Sequence, residues 1–391
     1  MLGVTGTNGK TTTVALLQGG LMAAGVSTGT IGTIGFRLGR EELRSARSTV
    51  TTPESPDLQA LLGVMAQRGA RAVALEVSSH AMALGRVDAI GFDVVGFLNL
   101  GRDHLDFHKT VEEYFEAKAR LFEPGRSAVS VIWVDDLHGQ ELAARVLTHE
   151  QSRLITVGTM EGVDYLLGDY VADGAFGGRA VIGRGGEELE IRLSLPGAYN
   201  MIDAAVAFAM LEAVGVPADA ALAGLATAQV PGRMQRVDLG GDAPLVVVDF
   251  AHTRRPSRRP SPRWPGRPVI AVLGCGGDRD PEKRPDMGAA AARGSRLAII
   301  TDDNPRTEDP AAIRAQTLAG TVGVEGAEVI EVAGRRAAIA EAMRRATPDA
   351  IVAILGKGHE RGQILADRTV DFDDALEAEL AWRRLTEEGV G

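Results

Sequence analysis

Apolar runs and helix-period stretches alternate along nearly the whole chain. AVALEV (72–77), DVVGFL (93–98), LVVVDF (245–250), VIAVLG (269–274), LAIITD (297–302) and AIVAILG (350–356) are short and continuous, as buried strands are. Helical patterns occupy 11–24, 54–67, 110–122, 200–213, 284–294, 310–319, 335–345 and 373–387. This alternation predicts an α/β fold of parallel sheets flanked by helices. From about 153 to 196 the pattern changes to short alternating stretches with glycine turns, such as GGRAVIGRGGEELEIRLSL. That change predicts a small antiparallel excursion within the first domain. A new strand–helix series begins after Pro231-Gly232, so the domains are expected at 1–231 and 232–391. A chain of 391 residues exceeds one ordinary core, which also argues for two domains.

One helical stretch contradicts its own pattern. In HKTVEEYFEAKARLF (108–122), Thr110 and Glu113 form a capping-box signature. Val111, Phe115 and Phe122 then share one face, and Lys118 falls among them. Lysine on an apolar stripe is costly unless paired. Either its ammonium snorkels past the aromatics to water, or the residue is kept for chemistry.

Composition narrows the class. The chain is 45% hydrophobic and 24% charged, a soluble globular balance. A net charge of −10 argues against a nucleic-acid partner. With Cys275 as the single cysteine, no internal disulfide can form, which fits a cytoplasmic, reducing location. No apolar run is long enough to span a bilayer, and MLGVTGTNGK lacks a signal-peptide core, so no membrane partner is expected.

The strongest chemical signal is GVTGTNGKTTT (3–13), a glycine-rich turn leading through Lys-Thr into a helix. Backbone amides of such a turn and helix N-terminus bind phosphate oxygens. Lys10 would reach the β and γ phosphates and Thr11 would hold magnesium. Val4 stands where the strict motif has its first glycine. AVALEVSSH (72–80) places Glu76 at the end of a buried strand, where it either faces solvent or binds the nucleotide's metal. FLNLGRDHLDFH (97–108) carries two histidines and two aspartates within six residues, a spacing suited to a metal, and leads into the Lys118 helix. Three further strand-end loops, GCGGDRDPEKRPDMG (274–288), TDDNPRTEDP (301–310) and GKGHERGQ (356–363), mix arginine with acids. That mixture suits a zwitterion such as an amino acid.

Taken together, TGTNGKTT, TTPES (51–55), EVSSH, NLGRDHLDFH, EAKARLF, LPGAYN (195–200), PGRMQRVD (231–238), VDFAHT (248–253), GCGGDRD, KRP, DNPR and GKGHE resemble, in order, the motifs of the Mur ligases. The resemblance covers nearly the whole chain. It is strongest to the branch that adds meso-2,6-diaminopimelate to UDP-N-acetylmuramoyl-L-alanyl-D-glutamate, and DNPR resembles the diaminopimelate form over the lysine form. It implies a phosphate-loop-type central domain that binds ATP, then a Rossmann-like C-terminal domain that binds the amino acid. It also implies a monomeric ligase of peptidoglycan synthesis, with ATP and Mg²⁺ as cofactors and an acyl-phosphate intermediate.

The same resemblance carries over residue roles. Gly6, Thr7, Asn8, Gly9, Lys10, Thr11, Thr12, Asn200, Arg233 and Asp249 would bind the nucleotide. Thr11, Glu76, His104 and a carbamylated Lys118 would hold magnesium ions. Thr51, Thr52, Ser78 and Arg86 would hold the muramoyl dipeptide. Arg284, Asp303, Asn304, Arg306, Gly356 and Glu360 would hold diaminopimelate. Three departures stand out. The chain starts two residues before the phosphate-loop glycines begin, so the family's N-terminal uridine-binding domain is expected to be absent. Asp203 stands where Asn is usual. RRPSRRPSPRWPGRP (254–268), with six arginines and five prolines, stands where relatives have a helix. Its bias is that of a GC-rich gene read in a shifted frame, though a basic loop or an unfolded insert has the same composition. A folylpolyglutamate synthase-like ligase and a non-catalytic ATP-binding remnant are the alternatives.

Overall fold

The computed structural model describes residues 1–43, 50–103, 105–149, 153–174, 177–250 and 266–388. It divides into two compact units, Met1–Gln229 and Val230–Gly391, against the 231/232 break read from sequence.

The first unit opens with β1 (Leu2–Thr5), α1 (Lys10–Ala23), β2 (Thr28–Gly32), β3 (Gly35–Leu38) and β4 (Glu41–Leu43). There follow α2 (Ser55–Gln67), β5 (Ala72–Glu76), α3 (Ser79–Ala83), β6 (Phe92–Phe97), α4 (Leu105–His108) and α5 (Val111–Ala119). Beyond a 3₁₀ turn at Arg120–Phe122 come β7 (Ser127–Trp133), α6 (Leu137–Leu147) and β8 (Arg153–Gly158). The unit closes with β9 (Tyr165–Leu167), β10 (Val171–Asp173), β11 (Gly177–Arg184), β12 (Glu187–Leu193), α7 (Ala198–Ala213) and α8 (Ala218–Thr227).

β1 lies in the middle of one large sheet, parallel to β5 on one side and β6 on the other. Strands next to each other in space but far apart in sequence leave a crevice at their carboxyl ends, and ligands bind there. The loop after β1 therefore opens between the ends of β5 and β6. Val4 belongs to β1 and is fully buried, so its side chain serves the sheet and not the turn.

The expected antiparallel excursion begins later than the sequence pattern suggests. β8 and β9 continue the parallel run, and only β9–β11, β10–β11 and β11–β12 pair antiparallel. A second antiparallel extension, β2–β3–β4, was not legible in the pattern. α7 is buried on every side, so it shows no amphipathic stripe. α1 meets α8 at Gly19 and Gly224: a Cβ on Gly224 would come within 2.3 Å of the Gly19 carbonyl oxygen. Only glycine allows backbones so close.

The second unit consists of β13 (Gln235–Val237), β14 (Leu245–Asp249), β15 (Val269–Cys275), α9 (Lys283–Arg293), β16 (Leu297–Asp302) and α10 (Pro310–Ala319). It continues with β17 (Glu328–Glu331), α11 (Arg335–Arg345), β18 (Ile351–Leu355), β19 (Gln363–Ile364), β20 (Thr369–Val370) and α12 (Asp374–Glu388). Its main sheet runs β13-β14-β18-β15-β16-β17, parallel except for the edge strand β13. The Val and Ile of these strands form a core with Ala338, Ile339, Ala342 and Met343 of α11 and Ala378 and Ala381 of α12. Most of the Arg/Pro-rich stretch lies outside the described residues. At its end, Arg267 donates to the carbonyls of Asp349, Pro348 and Ala350. Among the described residues, no helix is long and apolar enough to cross a membrane.

Candidate active site

The turn after β1 is closed by the loop after β6. Thr7 N donates to Asn99 O (3.0 Å) and Asn8 N to Asn99 Oδ1 (3.0 Å). Gly101 N donates to Thr7 Oγ1 (2.8 Å), which also meets the Tyr114 hydroxyl at 3.2 Å. Gly9, at φ 90°, caps α1 in the left-handed region that glycine tolerates. Lys10 Nζ folds back onto the carbonyls of Gly6 (2.8 Å) and Thr7 (3.1 Å). Thr11 and Thr12 sit in the first turn of α1.

Lys118 reaches the same turn. Its side chain is buried, 1% exposed, and Nζ donates to Gly6 O at 2.9 Å and lies 4.6 Å over the Tyr114 ring. The snorkelling alternative is therefore wrong: the ammonium points inward to the phosphate loop. Burial, reinforced by the charge of Lys10 and opposed by Asp103, holds its pKa well below the usual lysine value. The helix that carries it starts as expected, with Thr110 Oγ1 accepting from Glu113 N (3.1 Å). The capping box is only half made, because Thr110 N donates to His108 O. α5 ends at Ala119, and the 3₁₀ turn carries on to Phe122.

Glu76 ends β5 with its carboxylate buried, 1% exposed, so the solvent-facing alternative fails too. It accepts from Thr33 N (2.9 Å) and Thr33 Oγ1 (3.0 Å). Burial raises its pKa, opposed by Lys10, Thr33 and the Thr11 hydroxyl. A carboxylate whose charge is penalised by burial is one that a cation would stabilise. Thr11 and Glu76 supply the oxygen donors that magnesium takes alongside phosphates and water. His104 lies outside the described residues. Among those described, no group of three or more acids, histidines or cysteines gathers around a point. His108 is committed elsewhere, bonded to Ser79 Oγ (2.9 Å) and buried against Tyr114 and Phe107.

The residues expected at the muramoyl dipeptide converge beside Glu76. Thr52 Oγ1 donates to Glu76 O (2.7 Å), Ser78 N donates to Thr52 Oγ1, and Arg86 Nη1 donates to Thr52 O (3.0 Å). Thr51 joins them through Thr33 Oγ1 (3.1 Å). Asn200 holds the turn before α7 through Pro196 O (2.8 Å). Asp203, one turn on, is buried against Gly9, and burial pushes its carboxyl up to about 8 against the pull of Lys10.

In the second unit, Arg233 lies over the Phe250 ring and Asp249 Oδ1 accepts from Met234 N. The loops after β15, β16 and β18 come together at one sheet edge. Gly277 N donates to Asn304 O, and Gly356 lies against Gly274 O. Asn304 Nδ2 donates to Glu360 Oε2 (2.5 Å). Arg306, at φ 53°, donates to Gly277 O. Arg284 is buried, in a two-point pair with Glu308, and bonded to Gln316. Its guanidinium thus braces the loop after β16, a role the motif did not signal. The motif reading also passed over Lys357, fully buried among Asn304, Asp303 and Glu360. A lysine between two glycines after a buried strand was the available sign. Thr33 gave none, because no motif covers it.

A phosphate loop flanked by a buried lysine and carboxylate, with a second α/β unit that gathers charged strand-end loops, defines a two-unit ATP-dependent ligase. The chain belongs to the Mur ligase family: the Mur ligase middle domain matches residues 4–211 and the Mur ligase glutamate ligase domain matches 232–358. It is 44% identical over 385 residues to the UDP-N-acetylmuramoyl-L-alanyl-D-glutamate–2,6-diaminopimelate ligase of Streptomyces coelicolor, covering 95% of this chain and 74% of that one. The ligase of the same name from Corynebacterium glutamicum is 42% identical over 397 residues, covering 97% and 74%. A solved structure bearing that ligase name superposes with a TM-score of 0.71 at 33% identity, covering 98% of this chain and 78% of the other. Folylpolyglutamate synthase from Thermotoga maritima gives a TM-score of 0.70 at 16% identity, covering 91% and 85%, a likeness of fold alone.

Proposed function

We propose that this chain joins meso-2,6-diaminopimelate to UDP-N-acetylmuramoyl-L-alanyl-D-glutamate, at the expense of ATP, in peptidoglycan precursor synthesis. The observation that carries the reading is the convergence of Lys10, Lys118 and Glu76 on one phosphate loop, in a chain with 44% identity to a ligase of that name. The side-chain carboxylate of D-glutamate attacks the γ-phosphorus of ATP, ADP leaves, and an acyl phosphate forms. The neutral amine of diaminopimelate attacks its carbonyl carbon, phosphate leaves, and the amine's proton is released. The electrostatic problem is the approach of an anionic carboxylate to an anionic phosphate. Lys10 answers it by turning from the Gly6 and Thr7 carbonyls to the phosphates.

Magnesium, when bound, neutralises phosphate charge; Thr11 and Glu76 would hold one ion, and Glu76, His104 and Lys118 a second. Lys118 suits that role as a carbamate. Its buried amine favours the neutral, nucleophilic form, and addition to CO2 turns it into an oxygen donor. Thr51, Thr52, Ser78 and Arg86 hold the dipeptide, while Asp303, Asn304, Arg306, Gly356 and Glu360 recognise the zwitterion.

The test is phosphate release from ATP with the UDP-dipeptide, with and without meso-diaminopimelate, and with L-lysine in its place. Release that requires both the dipeptide and diaminopimelate is expected. A folded chain that binds ATP and releases no phosphate would be a non-catalytic remnant.

A further inference from the structure

Two carboxylates, an amide and a fully buried lysine meet in the second unit, with Glu360 at the half-buried rim, and the lysine is the member to which the motif assigns no role. Lys357 Nζ donates to Asn304 Oδ1 at 2.9 Å and to Glu360 Oε2 at 3.4 Å, and lies 3.6 Å from Asp303 Oδ1. Asn304 Oδ1 also accepts from Ile364 N at 2.9 Å. Two donors saturate that oxygen, so the amide cannot rotate without losing both. Its NH2 is left facing Glu360 Oε2 at 2.5 Å. Asp303 Oδ1, by contrast, is buried and accepts no hydrogen bond.

We propose that Lys357 is a positioning residue for the amino-acid site: it fixes the direction of the Asn304 amide and draws Asp303 and Glu360 together around one side chain. This inference rests on the ligase reading above, in which Asp303, Asn304 and Glu360 meet the amino-acid substrate. A fully buried ammonium is expensive, and an apolar side chain of similar volume would be as stable or more so. Stability alone therefore gives little reason for a lysine here. What the charge does is local. Without it, Asn304 Oδ1 loses one of its two donors, and Asp303, whose pKa burial already raises, keeps Arg335 as its remaining counter-charge against Glu360 and Asp374. The Asp303 carboxyl would then be pushed further in the direction that burial already drives it. The site would present a weaker acceptor at Asp303 and a free-turning amide in place of a charge-supported acceptor and a fixed donor. The acceptor that Asp303 offers to an N–H donor would be weakened with no change in the bond-making atoms.

The experiment measures KM for meso-diaminopimelate, ATP and the UDP-dipeptide in the wild type, Lys357→Met and Lys357→Gln. Met keeps the volume without charge or donor, and Gln keeps a donor without charge. In K357M, KM for diaminopimelate is expected to rise about 10- to 100-fold, the range for a lost hydrogen bond to a charged group. K357Q should fall between K357M and the wild type, and in both variants KM for ATP and the dipeptide should stay within about twofold. The Asp303 ionisation in the pH profile of the diaminopimelate KM should also move to higher pH in K357M, which lost packing alone would not produce. Should K357M fail to fold, K357Q carries the same expectations. A wild type that responds to diaminopimelate, with variants that match it in every KM or shift all three together, overturns the inference alone. A wild type that shows no diaminopimelate-dependent release overturns the ligase reading and this inference with it.

Discussion

Lys118 and Lys357 are equally buried, one in each unit, and their surroundings treat them in opposite ways. Lys118 meets a carbonyl oxygen and an aromatic face, with Lys10 as a second cation nearby and no ion-paired carboxylate among the described residues. Lys357 lies between Asp303 and Glu360 and bonds to an amide. Burial without a counter-charge favours the neutral amine, which is nucleophilic; a lysine buried between carboxylates braces them. The second unit repeats its own pattern elsewhere. Arg335 and Asp374, both fully buried, form a two-point pair, as Arg284 does with Glu308. At these sites the first unit keeps a reactive amine and the second keeps paired cations, in line with the division proposed above between phosphate chemistry and zwitterion recognition.

The largest effect that would break this contrast is at Lys118. Lys118→Met should lower turnover about 10²–10³-fold, the scale of losing one charge-stabilising group. In ¹³C-labelled bicarbonate the wild type should show a carbamate carbon signal that the variant lacks. Wild-type turnover in the variant would mean that this lysine is only packing. Next comes Arg335→Met, which leaves Asp374 charged and buried; loss of one partner of such a pair costs about 3–5 kcal/mol. Arg335→Met combined with Asp374→Leu should recover most of that in urea unfolding. A double variant as unstable as the single would show that the cost lies in packing and not in the bare charge.

The contrast was half legible in the sequence. Lys118 stood out because a lysine broke an apolar stripe, a conflict that periodicity exposes. The phosphate loop and Glu76 were legible because parallel strands end where ligands bind. Lys357 carried no such conflict, since its loop has no period to violate, and two of its three partners, Asp303 and Asn304, are more than fifty residues away. The β2–β3–β4 extension was missed for a related reason: TGTIG, GFRL and EEL are too short and too mixed in character to show alternation. Arg284 was read as a substrate ligand on its motif, yet its guanidinium is bonded to Glu308, Gln316 and Gly276 O. Motifs give residue type and place; they do not say which atoms the fold has already committed.

Asp203 offers the sharpest test of how the first unit treats buried charge, because its effect vanishes near pH 4. Its carboxyl lies against Gly9 at the base of the phosphate loop, where relatives were expected to have Asn, and burial raises its pKa from 3.8 to about 8. The folded state therefore binds a proton that the unfolded chain releases near pH 4. Below that pH both states are protonated, and the residue costs no more than an amide would. As pH rises towards 8 the unfolded chain gains by ionising while the folded one cannot, so stability falls with pH; above 8 the folded chain must bury the charge. Asp203→Asn is neutral at every pH and fills the same space. It should match the wild type in urea unfolding near pH 4 and exceed it by up to about 5 kcal/mol at pH 9, at about 1.4 kcal/mol per unit of pKa shift. A difference that does not change between those pH values would show that the carboxylate is already compensated, and that the first unit, like the second, neutralises its buried charges.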